Sequence, residues 1–130
     1  MDNITLLRSG QAPLQFLGEK IAATDSRQHQ GPCQNRWHEV AIYRVHDGRL
    51  VLAIDYRTQW QGEMDRDQAI ICSDESELRS RLAEYDPLAD VIGFPPGRQF
   101  DEKRAYTEKH LRQCWDAAVS ELLEDFPERI

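Results

Sequence analysis

The stretch from Trp37 to Arg57, WHEVAIYRVHDGRLVLAIDYR, constrains the fold more than any other part of the sequence. Two runs rich in β-branched and aromatic residues flank Asp47-Gly48, a dipeptide suited to a two-residue type I′ turn. That turn pairs Val45 with Leu50, Tyr43 with Leu52, Ala41 with Ile54 and Glu39 with Tyr56. Alternate strand residues share a face, so Trp37, Ala41, Tyr43 and Val45 join Leu50, Leu52, Ile54 and Tyr56 in the predicted core. Burial of each large aliphatic side chain is worth roughly 1.5–3 kcal/mol, and a one-residue slip would turn the set outward. The reverse face, with His38, Val40, Ile42, Arg44, Val51, Ala53, Asp55 and Arg57, reads as partly covered or solvated, with a contact surface for another chain as the alternative.

Residues 2–8 suit a short terminal strand, or a segment lying across the core. Leu14–Ala23 is read as extended, because Gly18 weakens a helix there. Residues 29–36 carry turn formers and read as a loop. After the hairpin, Glu63–Cys72 is predicted as a further strand. Ser73 is predicted to cap a helix whose apolar stripe includes Leu78, Leu82 and Tyr85 and which stops at Asp86-Pro87. The 92–98 connector is too rich in Gly and Pro for regular structure, with Phe94 and Phe100 as anchors. A last helix runs from near Asp101 toward Asp125. Its stripe Leu111, Trp115, Ala118, Leu122 and Phe126 faces inward, and Pro127 stops it. The fold class that follows is α+β, a three- or four-stranded antiparallel sheet followed by two helices packed on one face. One compact domain, residues 1–130, is expected.

Charge narrows the classes of function. The formal net charge is −7, and the acids concentrate between Trp60 and Asp90. Non-specific nucleic-acid binding needs clustered Lys and Arg, so a nucleic-acid partner is not expected. No apolar run approaches the roughly 20 residues that span a bilayer, so no membrane partner is expected. Cys33, Cys72 and Cys114 form no disulfide framework, which points to a reducing cytoplasm.

The chemical motifs are thin. His38-Glu39 lacks the second histidine of a helical zinc motif, since position 42 is Ile. Cys33, His38 and His46 do not have a metal-ligand spacing. His110 and Cys114, four apart on the last helix, are read as a packing edge. Gly93–Gly97 is neither a phosphate loop nor a dinucleotide fingerprint, and no cofactor is expected. Glu63, Asp65 and Asp67 alternate along a strand and read first as a charged edge. With Asp55 beside them, carboxylates there suit a cation.

Two functional expectations come from different classes. The first is a non-enzymatic interaction or regulatory protein that recognises another protein through the open end of the hairpin, where Arg36, Trp37, Arg57 and Trp60 gather as an aromatic–arginine contact group. Self-association through the hairpin or the long helix is a further option. The alternative is a small metal-assisted hydrolase acting on a phosphorylated compound or nucleic acid. In it Asp55, Glu63 and Asp65 hold the metal and Arg57 offsets phosphate charge.

Overall fold

The computed structural model describes residues 1–29, 35–92 and 97–124. Five strands form one antiparallel sheet in chain order: β1 (Asp2–Arg8), β2 (Gln11–Asp25), β3 (Arg36–Val45), β4 (Leu50–Thr58) and β5 (Arg66–Cys72). The sheet is therefore not three- or four-stranded. The sequence reading left the terminal strand optional and missed the hairpin that joins β1 to β2 through Ser9-Gly10. Gly10 there has φ +76°, a conformation that a side chain disfavours. α1 (Glu75–Glu84) and α2 (Asp101–Glu124) follow the sheet.

The β3–β4 register also differs from the expected one. Tyr43 pairs with Val51, Ile42 with Leu52, Val40 with Ile54 and His38 with Tyr56, one residue away from the type I′ alignment. Only Gly48 in this turn has positive φ, at +96°. The Gly48 N–H donates to Val45 O at 2.9 Å and the Val45 N–H to Arg49 O at 2.8 Å. This is a type I turn followed by a bulge glycine, a three-residue loop, and the extra residue shifts every pair.

The shift builds two cores instead of one. Val40, Ile42, Leu50, Leu52 and Ile54 lie under the helices, against Leu78 and Leu82 of α1 and Trp115 and Leu122 of α2. Tyr43, Val45, Val51 and Ala53 point the other way, where Ile4, Leu6, Leu14 and Phe16 of the β1–β2 arm pack on them. Both faces of the central hairpin are thus apolar because both are covered.

The arm reaches that face because β2 bends. Its first half pairs with β1 and its second half with β3, with an irregularity between Lys20 and Ala22. At Gly18 a Cβ would lie 2.3 Å from Arg44 O, so only glycine allows this approach. The arm then curls until its tip meets β5, where the Ser9 N–H donates to Asp67 O at 2.7 Å and the Asp67 N–H to Ser9 Oγ at 2.8 Å. The sheet is a half-barrel, tied across its gap at Ser9.

The helix boundaries follow local chemistry. Asp74, one residue beyond the expected Ser73, is the cap of α1. Its side chain accepts from the Glu77 N–H at 2.9 Å, while Glu77 reaches back to the Ser73 N–H at 2.8 Å, a reciprocal capping arrangement. In α2, Leu111, Cys114, Trp115, Ala118 and Leu122 are buried. The expectations for Cys33, Phe94, Phe126 and Pro127 lie outside the described residues. Among the described residues, no helix is long and apolar enough to cross a membrane.

Candidate functional site

The four residues expected to form one contact group divide between the two faces of β3 and β4. Arg36 and Trp60 belong to the helix-covered side. Trp37 and Arg57 are cross-strand partners on the side of the arm.

Arg36 is buried and hydrogen-bonds Glu63 through Nε at 3.0 Å and through Nη2. Tyr56 Oη donates to Glu63 Oε1 at 2.7 Å, Thr58 Oγ1 to the same oxygen at 3.0 Å, and the Ile92 N–H to Oε2 at 3.3 Å. Glu63 thus ties β3, β4 and the segment after α1 together. Burial pushes its carboxyl up, but the Arg36 and Tyr56 hydrogen bonds and the Arg36 charge outweigh that and hold it down at about 2. Tyr56, raised by burial and by Glu63, stays a phenol and a donor. The Arg36 guanidinium also lies under the Trp60 ring, 4.8 Å from its centroid, a cation–π arrangement.

Three large apolar side chains are exposed next to this buried hub, among polar neighbours such as Gln59, Gln61 and Asp65. Trp60 is 43% exposed, Met64 beside Glu63 is 81% exposed, and Ile92, bonded to Glu63, is 66% exposed. The residues after β4 fold back through a Glu63 N–H to Trp60 O hydrogen bond of 3.2 Å and a Trp60 N–H to Thr58 Oγ1 bond of 3.1 Å. Trp60 is therefore displayed from a closed turn. Sequence reasoning missed Met64 and Ile92, since the Glu63–Ile92 contact joins the segment before β5 to the segment after α1, 29 positions apart.

On the other face Trp37 is buried with the Arg27 guanidinium 4.3 Å from its ring centroid. Arg57 meets three carboxylates: Glu39 at 3.3 Å, Asp55 at 3.6 Å and Asp67 at 2.7 Å. These acids are direct neighbours across three strands, Glu39 opposite Asp55 and Asp55 opposite Asp67. Like charges so placed repel, and Arg57, one step along β4, offsets them. Asp55 sits in the middle. Burial raises its carboxyl first; Arg57 opposes that, Asp67 and Glu39 add to it, and the result is about 7. The row borders a cavity of about 370 Å³ floored by Ala41, Tyr43 and Ala53 and roofed by Leu6 of the arm. Sequence reasoning grouped Asp67 and Asp55 with Glu63 and Asp65 and set Glu39 opposite Tyr56, so it missed Glu39 as the direct neighbour of Asp55.

The proposed metal site does not assemble. Asp55 lies on the arm side, Glu63 is consumed by Arg36 on the helix side, and Asp65 accepts from the Thr58 N–H at 2.9 Å. Glu63 and Asp65 precede β5, so they do not alternate along it with Asp67. Among the described residues no group of three His, Cys, Asp or Glu side chains is arranged to hold a metal. His38 is wholly buried with neither ring nitrogen hydrogen-bonded, and His46 lies on the β3–β4 turn. His110 Nε2 and Cys114 Sγ meet at 3.6 Å, but burial raises the Cys114 thiol, the opposite of nucleophile activation.

No protein-family model matches the chain, and no curated protein or solved structure matches it significantly.

Proposed function

We propose that this chain is a non-enzymatic interaction protein that recognises another protein through the open end of the β3–β4 hairpin. The observation that carries this reading is that exposed Trp60 and Ile92 both contact the buried Arg36–Glu63 hub, with exposed Met64 next to Glu63 in the chain. Arg36 supports the Trp60 ring from below, and the ion pair holds the turn. An aromatic side chain presented from a rigid base loses little conformational freedom on binding, which is the usual character of a hot spot. Trp37 and Arg57 lie on the opposite side and are not part of this surface.

The test is comparative affinity purification of the wild-type protein and Trp60→Ala with quantitative mass spectrometry. A protein recovered by the first and lost by the second is then titrated in purified form. Hot-spot truncation costs about 2 kcal/mol or more, so affinity is expected to fall by more than about tenfold with the unfolding midpoint nearly unchanged. Equal recovery of every protein by both forms refutes the assignment of this surface.

A further inference from the structure

The half-barrel contains a second site, on the opposite face from Trp60. Its cavity of about 370 Å³ falls in the range of small-molecule sites. The arm makes it possible. Gly18 lets β2 approach Arg44 closely, and Ser9 ties the tip to Asp67, which leaves Thr5 and Leu6 standing over Ala41, Tyr43 and Ala53. Small side chains at positions 41 and 53 leave the space open where larger ones would close it. Ala41, Tyr43, Ala53 and Leu6 give the lining an apolar part, and charged residues border it, the division between burial and orientation common in such sites.

The rim sets the class of ligand. Glu39 from β3, Asp55 and Arg57 from β4, Asp67 from β5 and Lys20 from β2 border the cavity, while β1 contributes Thr5, Leu6 and Leu7 without charge. Three acids therefore face two bases. Lys20 already has the Tyr43 ring, 5.8 Å away, and Arg57 is shared among all three carboxylates. We propose that this cavity binds a small organic cation, an alkyl- or arylalkylammonium compound, with its charge against the Glu39–Asp55–Asp67 row and its apolar body against Ala41, Tyr43 and Ala53. Asp55 supports the reading from a separate direction. Burial and its acidic neighbours hold it near neutrality, so a proton occupies the row where a ligand cation would satisfy it. Cation binding then expels that proton, and affinity rises as pH rises through about 7 until Asp55 is fully ionised.

The experiment titrates isotope-labelled protein with phenethylamine and, separately, with phenylacetate, following backbone amide shifts. Saturable shifts at Ala41, Ala53 and Asp55 with the amine are expected, with the carboxylate binding at least about tenfold more weakly. Calorimetry in buffers of different ionisation heat is expected to show proton release near neutral pH, absent in Asp55→Asn. Ala41→Leu, which fills the cavity, is expected to abolish saturation; its unfolding midpoint shows whether it folds. Should it not fold, Glu39→Gln, altered at the exposed rim, is expected to weaken the amine severalfold. No saturable shift at these residues with the amine, equal binding of phenylacetate, or saturation unaffected in both folded variants overturns the proposal.

Discussion

At the scale of single residues, the buried polar groups fall into two kinds. Glu63 has a partner for each oxygen, and removing one side of such a buried pair leaves an uncompensated charge. Glu63→Ala is therefore expected to cost about 3–5 kcal/mol, and the double variant Arg36→Met with Glu63→Leu less than Glu63→Ala alone. Urea unfolding of the three proteins checks this. His38 is the other kind. The Tyr56, Tyr85 and Trp115 rings lie 5.0–5.5 Å from its own, centre to centre, and neither nitrogen is bonded. Burial lowers its pKa from 6.5 to about 4. Between those values the unfolded chain binds the proton that the native state refuses, so His38 makes stability fall as pH drops through that window. The loss amounts to about 3 kcal/mol by pH 4. His38→Leu is expected to flatten this part of the stability profile, measured by urea unfolding at pH values across the window. An unchanged slope would show that His38 takes up its proton in the native state as readily as in the unfolded one.

At the scale of elements, turns and bends decide which residues meet. Gly48 needs positive φ whereas Asp47 does not. Gly48→Val is expected to destabilise by about 1–2 kcal/mol, and Asp47→Ala to shift the midpoint less, since it loses only solvent-exposed bonds to Arg49. Thermal unfolding distinguishes this loop from a type I′ turn, in which both substitutions would be costly. Gly18 decides where the arm goes. A side chain there collides with the Arg44 carbonyl, so Gly18→Val is expected to cost about 2 kcal/mol or more and to free the tip. Hydrogen exchange at the Ser9 and Asp67 amides reads the second effect: faster exchange there than elsewhere in β5 is expected.

At the scale of the molecule, the two cores share β3 and β4, so a charge buried on one face bears on the stability of the whole sheet. Asp55 has its native pKa raised from 3.8 to about 7. Between these values the native state holds a proton that the unfolded chain has released, so this residue makes stability fall as pH rises. His38 acts in the opposite direction over an overlapping range. Asp55→Asn is expected to make stability climb more steeply between pH 4 and 7 than in the wild-type protein. Parallel profiles for the two proteins would contradict the shift.

The sequence by itself determined the local elements. The two strands of the β3–β4 hairpin, the apolar stripe of α2 and the start of α1 to within one residue, at Asp74 instead of Ser73, are legible because strand alternation, helical spacing and capping depend on neighbours within a few residues. That the hairpin carries apolar residues on both sides was legible too, but the expected grouping of Val40 and Ile42 with Val51 and Ala53 was not the observed one, since the two pairs lie on opposite faces. Only the tertiary structure decided the register, the closure and the sites. One loop residue changes which partners face each other across β3 and β4. Glu63 meets Arg36 across 27 positions and Ser9 meets Asp67 across 58. Such pairs leave no periodic trace in the chain, because they exist only once Gly18 has let the arm fold over and α1 and α2 have taken the other face.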